Sequence, residues 1–283
     1  MEYHGIIKKR NRVFGKHNVR LILFCLLFSL SHFLILIVGE YGRIHAQSTS
    51  SMAENVGVEL PDNIQAGELL HHSAMNNKES TEGWIMEGPG EVWFEDGWMH
   101  MKSQEMENHH VFWSPIRYPE SFIAQWEAQN MNTDAGLCIV FFSAAGLDGQ
   151  SVFSDDLSIR DGSFSQYHSG DLRNYHISYY ANTPRVPDRG RANLRKNPGF
   201  HLVQEGDEGI PTESDAIYTV TLVRNGARIR MWIDDRKILD WFDNGEVAGE
   251  PHGDGYIALR QMRWSHFRYR DFKVWNIESH NKE

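Results

Sequence analysis

The stretch Ile217-Tyr-Thr-Val-Thr-Leu-Val-Arg224, Asn225-Gly226, Ala227-Arg-Ile-Arg-Met-Trp-Ile233 admits few folds. Two runs rich in β-branched and aromatic residues flank Asn-Gly, the dipeptide that most readily supplies the positive φ angles of a tight hairpin. The same device recurs where 91–95 and 98–102 flank Asp96-Gly97. Further short runs lie at 110–114 (closed by Pro115), 122–129, 137–143, 175–180, 237–242, 255–261 and 268–276. Phe122, Ala124, Trp126 and Ala128 fall on one side of their run, and Ile123, Gln125, Glu127 and Gln129 on the other. Period two of this kind marks a strand with one buried face. Residues 137–143 are almost continuously apolar, which predicts a central strand covered on both faces. No long amphipathic helix and no internal repeat interrupts the series. Many short strands with Gly, Asn and Asp turns predict an all-β sandwich or jelly roll of two antiparallel sheets.

The N-terminus stands apart from this pattern. Lys8, Lys9, Arg10, Arg12, Lys16 and Arg20 lead into an apolar run at 21–38, and Ile44-His-Ala46 offers a small-residue cleavage site. That order is the pattern of a secretory signal, and the run is also long enough to remain as a single membrane anchor. Residues 1–46 are therefore expected to be a signal peptide or anchor, 47–65 a polar linker and 66–283 one jelly-roll domain. The protein is expected to be secreted or periplasmic, or held at the membrane by its leader, and to be a monomer. Cys25 lies in the leader, which leaves Cys138 alone in the exported part. Neither an intrachain disulfide nor a Cys-based metal site is then available. Net charge is −10 over the whole chain, and the leader is basic, so the exported part is more acidic still. That balance disfavours nucleic acid and anionic membranes as partners. Aromatic residues are abundant, with Trp 9, Tyr 10 and Phe 15. Aromatic faces suit sugar rings, and they equally suit a large β core.

The segments His168-Ser-Gly-Asp-Leu-Arg-Asn-Tyr-His-Ile-Ser-Tyr-Tyr-Ala-Asn182, Asn193-Leu-Arg-Lys-Asn-Pro-Gly-Phe200 and Gly255-Tyr-Ile-Ala-Leu-Arg260 resemble the YesU-type family of uncharacterised bacterial proteins. The resemblance spans roughly residues 69–277. It implies a concanavalin A-like jelly roll, similar to products of gene clusters that consume pectin-like polysaccharides. It implies no shared activity that transfers residue by residue.

Chemistry is sought on the polar strand faces. In Tyr175–Tyr180, alternation sets Tyr175, Ile177 and Tyr179 on one side and His176, Ser178 and Tyr180 on the other. With Ile177 in the core, His176 and Tyr180 are expected side by side, an imidazole and a phenol able to act as base and acid in either order. With Ile257 and Leu259 in the core, Tyr256 and Arg260 share the cleft face, and Arg260 is the expected clamp for a carboxylate. These three catalytic candidates fit β-elimination from a uronic-acid sugar: a clamp, a base for the C5 proton and an acid for the leaving oxygen. Gln125, Glu127, His110, Trp113, Tyr167, Arg195, Lys196 and Tyr256 are the candidate substrate-binding residues, Trp113, Tyr167 and Tyr180 as stacking platforms and Arg195-Lys196-Asn197-Pro198-Gly199 as a rim loop. His110 is expected to join the cleft with Ser114, and His109 to face away.

Glycoside hydrolysis needs paired carboxylates, and no Glu-x-Asp-x-x-Glu string occurs; Glu127 is isolated, and Asp234 and Asp235 read as turn residues. The pairs His71-His72 and His109-His110 cannot chelate one ion from a strand, because neighbours point oppositely. No catalytic cofactor is expected. A structural calcium ion is the one metal entertained, with Asp155, Asp156 and Asp161 as oxygen donors, although no defining loop pattern surrounds them. The sequence thus reads as an exported protein acting on acidic oligosaccharides by elimination, as a lyase or dehydratase. A non-catalytic carbohydrate-binding module, a hydrolase with non-standard acids, or a structural domain are the alternatives.

Overall fold

The computed structural model describes residues 64–103, 109–183, 187 and 189–278. The expected leader and nearly all of the linker lie outside them. The chain divides into units 1–56 and 57–283, and every described residue belongs to the second.

Among the described residues fifteen strands follow in order: β1 Ala66–Ser73, β2 Ile85–Glu87, β3 Gly90–Glu95, β4 Trp98–Ser103, β5 His110–Tyr118, β6 Phe122–Asn130, β7 Gly136–Gly146 and β8 Leu172–Asn182. Then come β9 Arg191–Asn197, β10 His201–Glu208, β11 Ile217–Asn225, β12 Arg228–Ile233, β13 Arg236–Phe242, β14 Gly255–Gln261 and β15 His266–Ile277. A single helical turn, α1 Ser165–His168, lies in the long β7–β8 connection. The strands form two antiparallel sheets. The first has the order β13-β12-β11-β6-β15-β4-β3, with β1 also on β15. The second has the order β10-β9-β8-β7-β14-β5-β2.

The main core fills the space between the sheets. Trp126, Phe272 and Val274 of the first meet Val140, Tyr175, Ile177 and Leu259 of the second. A second apolar layer coats the outer face of the second sheet, where Trp113, Ile139, Phe141 and Ala258 are covered by Val152, Tyr167 and Leu172 of the β7–β8 connection and its borders. The unbroken apolar run of β7 follows from this: Cys138, Val140 and Phe142 enter the main core, while Ile139 and Phe141 enter the outer layer.

Three local expectations shift. Asp96 and Gly97 do take positive φ, 51° and 77°, in the β3–β4 turn. In the β11–β12 hairpin, however, Asn225 pairs with Arg228, so the two turn residues are Gly226 and Ala227, with only Gly226 at positive φ. Glycine at the first turn position suffices for the mirror-image turn that matches strand twist. Strand β5 does not stop at Pro115 but runs on to Tyr118. Its register with β14 breaks between Trp113 and Arg117, a place where a residue without an N–H is tolerated. Of the basic stretch read as a rim loop, Arg195, Lys196 and Asn197 belong to β9, paired on one side with β8 and on the other with β10, and Pro198 and Gly199 to the turn that follows it.

Candidate functional site

Antiparallel register lays out rows of side chains across the outer face of the second sheet. Trp113 stands opposite Ala258, Ala258 opposite Phe141, Phe141 opposite His176 and His176 opposite Arg195. One row over, Arg260 stands opposite Ile139 and Ile139 opposite Ser178. On the other side of the His176 row, Asn174 stands opposite Asn197. Residues directly opposite point the same way, so these rows bring His176, Arg195, Arg260, Asn174 and Asn197 to one face.

Tyr180 does not join them. Between Cys138 and Ile139 of β7, strand β8 advances two residues, from Tyr180 to Ser178. This β-bulge inserts one residue and reverses the phase of everything after Ser178. Tyr179 and Tyr180 therefore both lie in the main core, Tyr180 with its ring 5.1 Å from that of Phe267 and its hydroxyl donating to the Thr212 carbonyl at 3.3 Å. The Tyr179 carbonyl freed by the bulge accepts from the Ile210 N–H at 2.8 Å. Gly209 permits that approach, since a Cβ there would fall 2.0 Å from the Tyr179 oxygen. The expected His176–Tyr180 pair is thus broken by one inserted residue.

The His176 ring packs against Phe141, Phe164 and Phe200 at 5.6, 5.8 and 5.7 Å. Its Nδ1 lies 2.8 Å from Asn197 Nδ2. Burial, reinforced by Arg195 and Arg260, holds its pKa well below the usual histidine value, so it is neutral at pH 7. His168 completes the enclosure, its ring 4.6 Å from both Phe164 and Phe200. The guanidinium of Arg195 stacks 3.9 Å over Phe200 and donates to its carbonyl.

Arg260 is fully buried, with its guanidinium 4.4 Å over the Phe164 ring and also against Tyr167 and Phe141. Nη2 lies 3.0 Å from the Gly162 carbonyl and 3.0 Å from His109 Nδ1. Among the described residues Nε and Nη1 have no acceptor and no carboxylate pairs with this cation. Burial pulls its pKa down to about 9, which still leaves it charged at pH 7. His109 meets Arg260 on one ring nitrogen and Arg263 Nε, 3.3 Å away, on the other. A neutral imidazole accepts on one nitrogen only, so it cannot serve both cations at once. Burial together with Arg260 and Arg263 lowers its pKa to about 4. Over this cluster lies a groove of about 520 Å3 lined by Pro89, His109, Asp161, Gly162, Ser163, Phe164 and Arg263. Asp161 is the only carboxylate among the described residues of that lining. Gly162 closes the roof above Arg260 at φ 91°, where a Cβ would collide with the His109 carbonyl at 2.2 Å.

The remaining sequence candidates disperse. Trp113 and Tyr167 are fully buried and offer no stacking surface; Tyr167 instead stacks on Phe141 and donates to Glu87 at 2.8 Å. Glu87 also takes a two-point bond from Arg160, so the β7–β8 connection is pinned to β2. Lys196 faces inward opposite Tyr175, in a buried ion pair with Asp243. His110 also faces inward, bonded to Ser103 Oγ at 2.9 Å, and Ser114 bonds Tyr118; His109 is the histidine on the outer face. The parity argument for that pair holds, with the faces exchanged. Tyr256 lies on the outer face but under Phe153, its hydroxyl bonded to Ser151. Gln125 and Glu127 belong to the other sheet, where they bond Thr221 and Arg270. Among the described residues no three His, Cys, Asp or Glu side chains gather to hold a metal, so Asp155, Asp156 and Asp161 do not form one cluster.

A family described as a domain of unknown function, DUF1961, matches residues 68–274. The chain belongs to the DUF1961 family. It is 34% identical over 211 residues to the uncharacterised protein YesU of Bacillus subtilis, covering 74% of this chain and 96% of that protein. A crystal structure of a protein of unknown function with a galectin-like fold from Bacillus subtilis superposes with a TM-score of 0.73 at 33% identity, covering 76% of this chain and 98% of the other. The exoplasmic/lumenal domain of VIP36 in its Ca2+/Man3GlcNAc-bound form shares the fold at a TM-score of 0.54 and 9% identity, over 76% and 93% of the two chains.

In this DUF1961 chain the candidate face includes residues that periodicity alone does not single out. Asn174 and Asn197 fall within the family-like segments, yet only the β8–β9 pairing brings them together. Phe164, His168 and Gly162 lie in an irregular connection with no period to read. His109 follows residues 104–108, which lie outside the described ones.

Proposed function

We propose that this DUF1961 chain is an exported carbohydrate-recognising protein that takes the carboxylate of a uronic-acid-containing oligosaccharide at the outer face of its second sheet. One observation carries the reading: Arg260 is a buried cation with two nitrogens lacking acceptors and, among the described residues, no carboxylate paired with it. Leaving such a charge unpaired costs free energy, which an incoming anion offsets. Arg263 lines the groove above it and Arg195 stands in the adjoining row, so among the described residues around the site cations outnumber the one groove carboxylate, Asp161, although the chain as a whole is acidic. The Gly162 carbonyl engages Nη2, which leaves Nε and Nη1 as the nitrogens for an anion. Rings such as Phe164 and Phe200 next to these cations suit the apolar face of a sugar. The fold likeness to VIP36, whose domain is seen with a mannose oligosaccharide, is in keeping with saccharide binding.

Elimination is the second reading, favoured by the His168 imidazole, which packs on Phe200 beside the cationic group. It must now proceed without Tyr180. Paired-acid hydrolysis has little support, because Asp161 is the single carboxylate among the described residues of the groove.

Trigalacturonate incubated with the protein separates the two readings. Binding by calorimetry without new ultraviolet absorbance supports recognition; absorbance growing from a conjugated double bond establishes elimination. Absence of both refutes the proposal.

A further inference from the structure

The hydrogen-bond chain from Tyr167 through Asn174 and Asn197 to His176 runs in one direction only. Asn174, Asn197 and His176 are buried. One end of the Asn174 amide lies 2.7 Å from the Tyr167 backbone carbonyl, which can only accept; that end is therefore Nδ2, and Oδ1 is turned to Asn197. A single atom of Asn197 lies 2.8 Å from Asn174 Oδ1 and 2.8 Å from His176 Nδ1. Facing a fixed acceptor, that atom must be Nδ2. Its second hydrogen points at His176 Nδ1, which must then use its lone pair. A neutral imidazole that accepts at Nδ1 carries its proton on Nε2.

We infer that Asn174 and Asn197 are positioning residues that hold His176 as the Nε2–H tautomer, so that the ring offers the outer face a hydrogen-bond donor and no base. The amide orientations rest on a backbone carbonyl, so they cannot be exchanged without setting two acceptors or two donors against each other. His176 and Arg260 rest against the same two rings, Phe141 and Phe164. With Nε and Nη1 of Arg260, the His176 Nε2–H makes a set of donors only. Such a set, given the uronate reading above on which this consequence rests, selects an ionised carboxylate over its methyl ester. The ester lacks the charge and replaces one strong acceptor oxygen by a weak one. A metal ion is rejected, since the ring has no lone pair left to give it.

The test is a long-range 1H–15N correlation spectrum of the whole protein labelled with 15N, with His176→Gln used to assign the ring. The expected result at pH 7 is a protonated Nε2 and an unprotonated Nδ1, unchanged from pH 7.5 to 5.5. A proton on Nδ1 overturns the inference. Asn197→Asp replaces the donor by an acceptor and is expected to move the proton to Nδ1 and to weaken trigalacturonate binding about tenfold or more. Retention of the Nε2–H pattern in that variant overturns it equally. The wild-type spectrum needs no ligand and no variant. An Nε2–H signal in a protein that ignores uronates therefore sinks the binding reading alone, and an Nδ1–H signal in a protein that binds them sinks this one alone.

Discussion

Lys196 Nζ lies 2.8 Å from Asp243 Oδ2, with both side chains closed off from solvent. The ammonium also donates to the Gly249 carbonyl, and the Tyr175 hydroxyl donates to the same Asp243 oxygen at 2.5 Å. This charge is thus matched by a carboxylate, whereas Arg260, equally buried, has no acid paired with it among the described residues. The pair ties the 243–249 loop to β9 from the core side. Lys196→Met leaves Asp243 buried without its counter-charge, and denaturant unfolding should show a loss of about 3–5 kcal/mol. Unchanged stability would mean that the pair is solvated. Because Lys196 faces away from the outer face, uronate affinity of the folded variant should stay within about twofold of wild type.

The β8 bulge makes a separate prediction for Tyr180. Its hydroxyl makes a long bond to the Thr212 carbonyl and also interacts with the Asn130 and Asn182 side chains, all away from the outer face, so Tyr180→Phe should cost about 0.5–1.5 kcal/mol of stability and nothing in binding or turnover. An abolished uronate response in that variant would place Tyr180 back at the site and contradict the register seen here.

Stability should fall in mild acid. His109, His252 and His266 are each held down to about 4, chiefly by burial. The unfolded imidazoles titrate near the ordinary value of about 6.5. Between about pH 6.5 and 4 the unfolded chain thus binds protons that the folded chain refuses, so stability rises with pH through this window and is complete above it. Thermal unfolding from pH 7.5 to 4.5 should show Tm falling by about 5 °C or more, with a shallower slope in His109→Gln. A Tm independent of pH would show these rings already charged in the fold.

Much of the sandwich was legible because its signals are local. The alternation in β6 assigned Phe122, Ala124, Trp126 and Ala128 to the core, where they lie. The apolar run of β7 announced two covered faces. Ile257 and Leu259 put Arg260 on the outer face by parity alone. What parity cannot see is an inserted residue: the bulge at Tyr179 reversed Tyr180 while leaving the sequence pattern intact. Nor can it choose between faces without an anchor, which exchanged His109 for His110. Arg195 and Lys196, read as a loop, prove to be strand neighbours with opposite fates, one stacked on Phe200 and one sealed against Asp243. The Asn174–Asn197–His176 chain spans two strands and a backbone carbonyl, and no window of sequence contains it.

The central claim is that Arg260 supplies the charge that reads a uronate. Calorimetric titration of trigalacturonate into wild type and Arg260→Met tests it directly, since methionine keeps much of the bulk and removes the cation. The account predicts affinity at least about tenfold weaker in the variant, with Tm equal to or above wild type because an unpaired buried charge is gone. Undiminished binding by Arg260→Met would contradict it.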